Sequence, residues 1–430
     1  MKDNVPGTDP WRNGTAPPQP APPPGVYSEV GKLHTVLVCQ PGLAHERLNP
    51  RICRELKFGA PLWVERAQHD FSEFVRALRE QGVEVLELHT LLAQTLAQPE
   101  ACTWLLDRLL KHLNLPDVLG DELRAACEDL DPRRLAELLI GGVTLADLGL
   151  PSSGVMGMAL ALRPFVLPPL PHTLCLRESH CWIQSGLALN FAGRRGTRPE
   201  ALLVAAVYRF HPRFSAAQPR VWWGDADAPA PGGSAEGGDI MALGHGVVLI
   251  GTGARTQPHA ALQIARGLFE DGAAHTVIAA QSARHDEPGA PLERYFTQCA
   301  PNVVTYRPDV VDHIRCQELR PAGNDGRIQV TPRDGVHLLD VLAQALGAPT
   351  FNAIVTACET HDGTGEPWDD GNGALALEPG VVIAFERNAR TNKRLRGSGI
   401  EVIEVPGSEL DRIGTGTRGL CCPIAREAVM

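Results

Sequence analysis

Two spacings of apolar residues alternate along this chain. Leu62, Ala67, Phe71, Phe74, Val75 and Leu78 recur at helical spacing, and Gly82 stops the run. That spacing predicts a helix over 61–82. Val83-Glu-Val-Leu-Glu-Leu88 alternates apolar with acidic residues, as a half-buried strand does. Thr35-Val-Leu-Val-Cys39 is a short apolar strand that ends at Pro41-Gly42. Together these segments make a strand–helix–strand unit.

Between 89 and 150 the texture changes to Leu, Ala, Arg, Asp and Glu. Helical periodicity is plain in Trp104–Leu110 and Arg134–Ile140, with Pro116 and Pro132 as punctuation. Residues 91–159 are therefore expected to be an inserted helical subdomain whose Leu and Ala stripes face a core. From about 165 a strand-and-turn texture resumes, with strand-like apolar runs at Leu202–Val207, Val247–Ile250, His275–Ala279 and Val381–Phe385. Helical stretches such as His259–Phe269 and Leu338–Leu346 lie between them. Short strand and helix units recurring in this way predict a modular α/β architecture over 26–90 and 160–430. Residues 1–25 are crowded with proline and read as a disordered or polyproline tail. Order is expected to begin near Val30.

Charge and composition narrow the function. The 430 residues carry a net charge of −10. Nucleic acids and anionic membranes need a basic footprint, so neither is an expected partner. No apolar run approaches the ~20 residues that span a bilayer, and no signal peptide is evident. The 11 cysteines are scattered and odd in number, as expected for reduced thiols in a cytoplasmic protein. No Cys/His set has zinc-like spacing, so neither a metal nor a cofactor is expected.

One stretch concentrates chemistry. Glu236-Gly-Gly-Asp239 is a glycine turn that can hold a carboxylate close to a ligand. Val247–Ile250 follows as a buried strand, and Arg255 sits on the loop beyond it. A carboxylate and a guanidinium flanking one strand suit a small ligand with a cationic tail and an anionic head. A hairpin rim with solvated charges is the plainer reading.

Further stretches fit a known family. They are Gly25-Val-Tyr-Ser-Glu-Val-Gly-Lys-Leu-His-Thr-Val-Leu-Val38, Tyr208-Arg-Phe-His-Pro-Arg-Phe214, Trp368-Asp-Asp-Gly-Asn372, Glu386-Arg-Asn-Ala-Arg-Thr-Asn392 and Cys422-Pro-Ile424. In this order, with Glu236-Gly-Gly-Asp239, they resemble the bacterial arginine deiminases of the guanidino-group-modifying family, from about residue 25 to the C-terminus. The resemblance implies a pseudo-fivefold α/β propeller of strand–strand–helix–strand modules around a central site, with a helical subdomain. It also implies a mechanism. A cysteine thiolate attacks the guanidinium carbon of arginine, carboxylates hold the guanidinium, and a histidine moves protons until citrulline is released.

The fold-bearing motifs match better than the catalytic ones. His172 stands where the family has Asn, and Arg177-Glu178 where it has Arg-Asp. Glu236 and Arg255 match. Thr197 falls at a family arginine, with Arg194, Arg195 and Arg198 nearby. The family's His-x-Asp reads Pro291-Leu-Glu293, and the nucleophile position, counted back from Cys422-Pro423, is Gly419. A family Gly-Arg pair reads Ile413-Gly414. Thiolate and imidazole each contribute orders of magnitude to rate. The expected function is therefore a degenerate, non-deiminating homologue that binds a guanidino or amino-acid ligand through Glu178, Glu236, Glu293, His172, Arg255 and Arg198.

The alternative is a repurposed enzyme acting on a modified guanidino or amidine substrate. It would use Cys421 as nucleophile, with His172 or His285 handling protons. An active arginine deiminase is the third reading. A homo-oligomer, or an assembly with an active relative, is the expected quaternary state. Asp369 and Asp370, before Gly371-Asn372, read as a turn rather than a metal site.

Overall fold

In this computed structural model the described residues are 22–429, apart from 112, 114, 152–156, 159–162, 194–195, 198, 228–232, 282–289, 324–325 and 357–370. One local plan recurs through them: a hairpin, then a helix, then a strand returning parallel to the second hairpin strand.

The chain enters with β1 (Gly25–Val26) and β2 (Leu33–Val38). Helix α1 (Val64–Glu80) buries the predicted face of Ala67, Phe71, Phe74, Val75 and Leu78. Gly82, at φ 75°, takes the left-handed turn just past its end. Strand β3 (Glu84–Glu87) then returns parallel to β2, with Val38 opposite Glu87. Among the described residues the first strand thus lies at Gly25–Val26, ahead of Val30, because β1 gains backbone partners along the far end of the chain. Most of the proline-rich tail lies outside the described residues.

Four helices follow: α2 (Leu88–Leu96), α3 (Pro99–Lys111), α4 (Asp117–Glu128) and α5 (Pro132–Gly141). Their leucines share one apolar cluster. Pro132 occupies the first turn of α5, where no amide partner is lost, and Asp131 caps it by accepting from the Arg133 N–H at 2.9 Å.

The second unit is the hairpin β4 (His180–Ile183) and β5 (Gly186–Leu189), a small ribbon β6 (Ala192–Gly193) with β7 (Gly196–Thr197), helix α6 (Pro199–Phe210), and β8 (Arg220–Trp223) parallel to β5. Here the apolar run Leu202–Val207 proves to be helical. Ala201–Tyr208 is buried all round, since α6 packs on α2 and α3 as well as within its own unit. A helix buried on every face loses its amphipathic period, so its sequence cannot be told from a buried strand.

The third unit is β9 (Ile240–Gly244), β10 (Val247–Thr252), α7 (Pro258–Glu270) and β11 (Thr276–Gln281). The fourth begins with β12 (Phe296–Ala300) and β13 (Val303–Tyr306). Before it is completed, the hairpin β14 (Arg315–Pro321) and β15 (Ile328–Pro332) leaves to extend the β11 edge. Helix α8 (Leu338–Leu346) and β16 (Asn352–Val355) finish it. The fifth unit is β17 (Leu375–Glu378), β18 (Val381–Phe385), α9 (Ala389–Gly397) and β19 (Glu401–Val405).

Last comes β20 (Cys421–Arg426), antiparallel to β2, which supplies the hairpin strand that the first unit lacks. The units form separate sheets, and among the described residues no sheet closes on itself. The protein is a mixed α/β fold. No described helix is long and apolar enough to cross a membrane.

Candidate functional site

Four short helical turns, each just ahead of the first strand of a unit, carry the chemistry. They are Leu176–Ser179 before β4, Gly237–Asp239 before β9, Leu292–Arg294 before β12 and Gly416–Gly419 before β20. The second turn touches both the first and the third, and the fourth touches the first. Residues far apart in sequence are thereby brought into one buried cluster.

Glycine permits the approach. A Cβ on Gly237 would fall 2.3 Å from the Arg177 carbonyl oxygen, and one on Gly238 would fall 2.6 Å from Glu293 Oε1. Asp239 clamps the next turn by accepting from the Leu292 N–H at 2.7 Å through Oδ1. Its Oδ2 accepts from the Thr256 hydroxyl at 2.7 Å. Burial, with Glu236 close by, pushes the Asp239 carboxyl up to about 7.

Glu236 is buried, and its Oε2 accepts from Arg255 at 2.6 Å. Arg255, whose side chain is 30% exposed, also lies within electrostatic reach of Glu178. Glu178 in turn has His172 Nδ1 at 3.8 Å, with both side chains partly exposed. The fold therefore gathers Glu178, Glu236, Glu293, Arg255 and His172. Arg198 and His285 lie outside the described residues, as do Asp369 and Asp370.

Glu293 has a neighbourhood that sequence reading did not anticipate. Its Oε2 lies 3.2 Å from Arg177 Nε and 3.6 Å from Arg418 Nε. Neither approach has hydrogen-bond geometry, so this buried oxygen has no hydrogen-bond partner among the described atoms. Both arginines are held by Glu29, which accepts from Arg177 at 2.8 Å and from Arg418 at 2.7 Å. Burial works to raise the Glu29 carboxyl, but the two guanidinium groups outweigh it and hold it below its ordinary value. For Glu293 burial wins over the same two cations, and its carboxyl is raised.

The sulfur atoms are placed unfavourably for attack. Cys421 lies on β20 inside an apolar cluster with Val38, Leu174 and Phe385, fully buried. Burial pushes its thiol up to about 12, so it remains protonated. Gly419 carries no side chain, and the space into which one would point is taken by the Thr415 hydroxyl. The Cys175 thiol lies near the same hydroxyl and within electrostatic reach of Glu178 and Glu293. Burial, reinforced by Glu178, raises Cys175 well above the usual thiol range.

Glu29, Arg177, Arg418, Asp239, Thr415 and Cys175 were not singled out as site residues from sequence. Glu29, Asp239 and Arg177 stood inside quoted motifs, which was a usable signal. Glu29 and Arg418 are separated by almost the whole chain, and only the fold pairs them. His180 is buried and bonded to the Tyr208 hydroxyl at 2.9 Å, and burial drives its imidazole down to about 3. The Tyr208–Phe214 motif is thus a packing element, with those two rings 5.0 Å apart at their centroids.

A solved amidinotransferase structure shares this fold. SxtG, an amidinotransferase from Microseira wollei, superposes with a TM-score of 0.53 at 12% identity, over 95% of this chain and 98% of that one. DDAH from Pseudomonas aeruginosa, in complex with citrulline, gives 0.48 at 14% identity, over 91% and 99%. The family model for arginine deiminase matches residues 54–426. The chain belongs to the arginine deiminase family.

Proposed function

We propose that this chain is a non-deiminating member of its family that binds a small guanidino or amino-acid ligand at the acid cluster. The carrying observation is Gly419, whose missing side chain leaves the nucleophile position without an attacking atom and its space filled by Thr415. The guanidinium carbon is a poor electrophile and needs a thiolate beside it. Cys421 and Cys175 are buried thiols with raised pKa values, which supports the same reading. The units are proposed to be arranged as a pseudo-fivefold propeller with the acids at its centre.

Binding has its own support. Glu293 keeps a buried oxygen without a hydrogen-bond partner, and Asp239 is raised by burial and by Glu236. Such crowding of acids favours a cation that relieves it. Arg255 faces the same acids and suits an anionic head group. The test combines a citrulline assay with a thermal-shift series using arginine, agmatine and citrulline. Stabilisation by at least one of these, with no citrulline formed, is the expected result. Citrulline formation at ordinary enzymatic rates would overturn the reading.

A further inference from the structure

The parallel strands β2 and β3 end side by side, and three donor side chains meet there, outside the acid cluster. Cys39 follows β2, Glu87 closes β3, and His89 stands in the first turn of α2. Cys39 Sγ lies 3.9 Å from His89 Nδ1, and Glu87 Oε1 lies 2.8 Å from the same nitrogen. All three donor atoms fall within 4.8 Å of one another.

We propose that Cys39, Glu87 and His89 bind a zinc-like divalent transition-metal ion. A tetrahedral zinc with bonds of ~2.3 Å to sulfur and ~2.0–2.2 Å to nitrogen and oxygen holds its donors ~3.3–3.6 Å apart. The observed separations bracket that range, so small side-chain rotations suffice. Thiolate, imidazole and one carboxylate select a borderline-soft ion over magnesium or calcium, which want an all-oxygen shell.

The site is also supported from behind. Glu87 Oε2 accepts from the Thr90 N–H at 3.0 Å, and Oε1 from the Gln40 N–H at 3.4 Å, so the carboxylate is held in place before any ion arrives. Cys39 is fully buried and Glu87 nearly so, while the His89 side chain is 21% exposed and offers an entry path. The fourth position then belongs to a water on that exposed side. Metal binding displaces the Cys39 thiol proton to solvent, and His89 offers its Nδ1 lone pair while keeping one ring proton on Nε2, with no change of oxidation state.

A hydrogen-bonded His89–Glu87 pair with Cys39 as packing is the competing account. The two differ in what Cys39 does, since only the metal site needs its sulfur. A bound ion would fasten the ends of β2 and β3 to α2, where the helical insertion starts. Spacing rules cannot detect such a site, because its donors come from two strand ends brought together by parallel pairing.

The full-length protein is stripped with chelator and titrated with zinc and with cobalt(II). The expected result is one equivalent bound, a thiolate-to-cobalt charge-transfer band, and a higher melting temperature with zinc. Cys39→Ser abolishes the band, and His89→Gln weakens zinc binding at least tenfold while melting like the parent protein in chelator. Binding that survives His89→Gln unchanged, or a band that persists in Cys39→Ser, overturns the proposal. If Cys39→Ser does not fold, His89→Gln decides alone.

Discussion

The Thr415 hydroxyl occupies the space into which a side chain at Gly419 would project. A larger side chain at position 419 would therefore need Thr415 to give way first. Gly419→Ala is expected to destabilise the protein by about 1–3 kcal/mol, the usual cost of overpacking. Combining it with Thr415→Gly should recover much of that loss. Denaturant midpoints of the single and double variants check this, and a neutral Gly419→Ala would show that the space is not contested.

Glu293 is predicted to be the ligand-sensing acid. Glu293→Gln should keep the fold yet lose the melting shift given by the best guanidino ligand. At a ligand concentration of 100 times Kd that shift corresponds to about 2.7 kcal/mol in the parent protein. An undiminished shift in the variant would place the ligand elsewhere.

Asp239 gives a pH signature. Its carboxyl rises from an ordinary 3.8 to about 7 on folding, chiefly through burial and then through Glu236. The folded chain therefore holds more protons than the unfolded chain between those values. This contribution to stability is fully present below about pH 4 and is lost as pH rises to about 7, with a slope approaching 1.4 kcal/mol per pH unit. Asp239→Asn should flatten stability across that window. A cationic ligand favours the ionised carboxyl, so its affinity should rise with pH over the same range.

Glu29 neutralises two buried guanidinium groups at once. Glu29→Gln leaves Arg177 and Arg418 with only Glu293 as a nearby acidic counter-charge among the described residues. Removing one partner from a buried ion cluster costs about 3–5 kcal/mol. Equilibrium unfolding measures it, and a loss below 1 kcal/mol would mean that the arginines find other acceptors.

Cys421 is predicted to be inert. A fully buried thiol raised to about 12 should resist a haloacetamidine probe at neutral pH, and Cys421→Ala should leave ligand binding unchanged. Stoichiometric labelling of Cys421, seen by mass spectrometry, would instead favour a repurposed cysteine enzyme.

Much of the scaffold was readable before folding. The helix over 61–82, the strand around Val85, and the helices at His259–Phe269 and Leu338–Leu346 appear close to their expected places. Each helix has one face in the core and one in water, so its period survives in the sequence. Leu202–Val207 was misread because a helix surrounded by protein has no polar face to reveal its period. Glu236 and Arg255 were legible as a pair, since glycines and a short buried strand separate them.

Sequence alone determined which residue types exist to do chemistry. On the proposed correspondence it leaves Gly419 at the nucleophile position and Pro291 at the histidine position, and no folding can turn either into a thiolate or an imidazole. Tertiary structure decided what the remaining groups face. It set Arg177 and Arg418 against Glu29 and Glu293, buried Cys421, and gathered Cys39, Glu87 and His89. Local periodicity is written in neighbouring residues, whereas burial and charge pairing depend on segments whose meeting is fixed only when the units pack together.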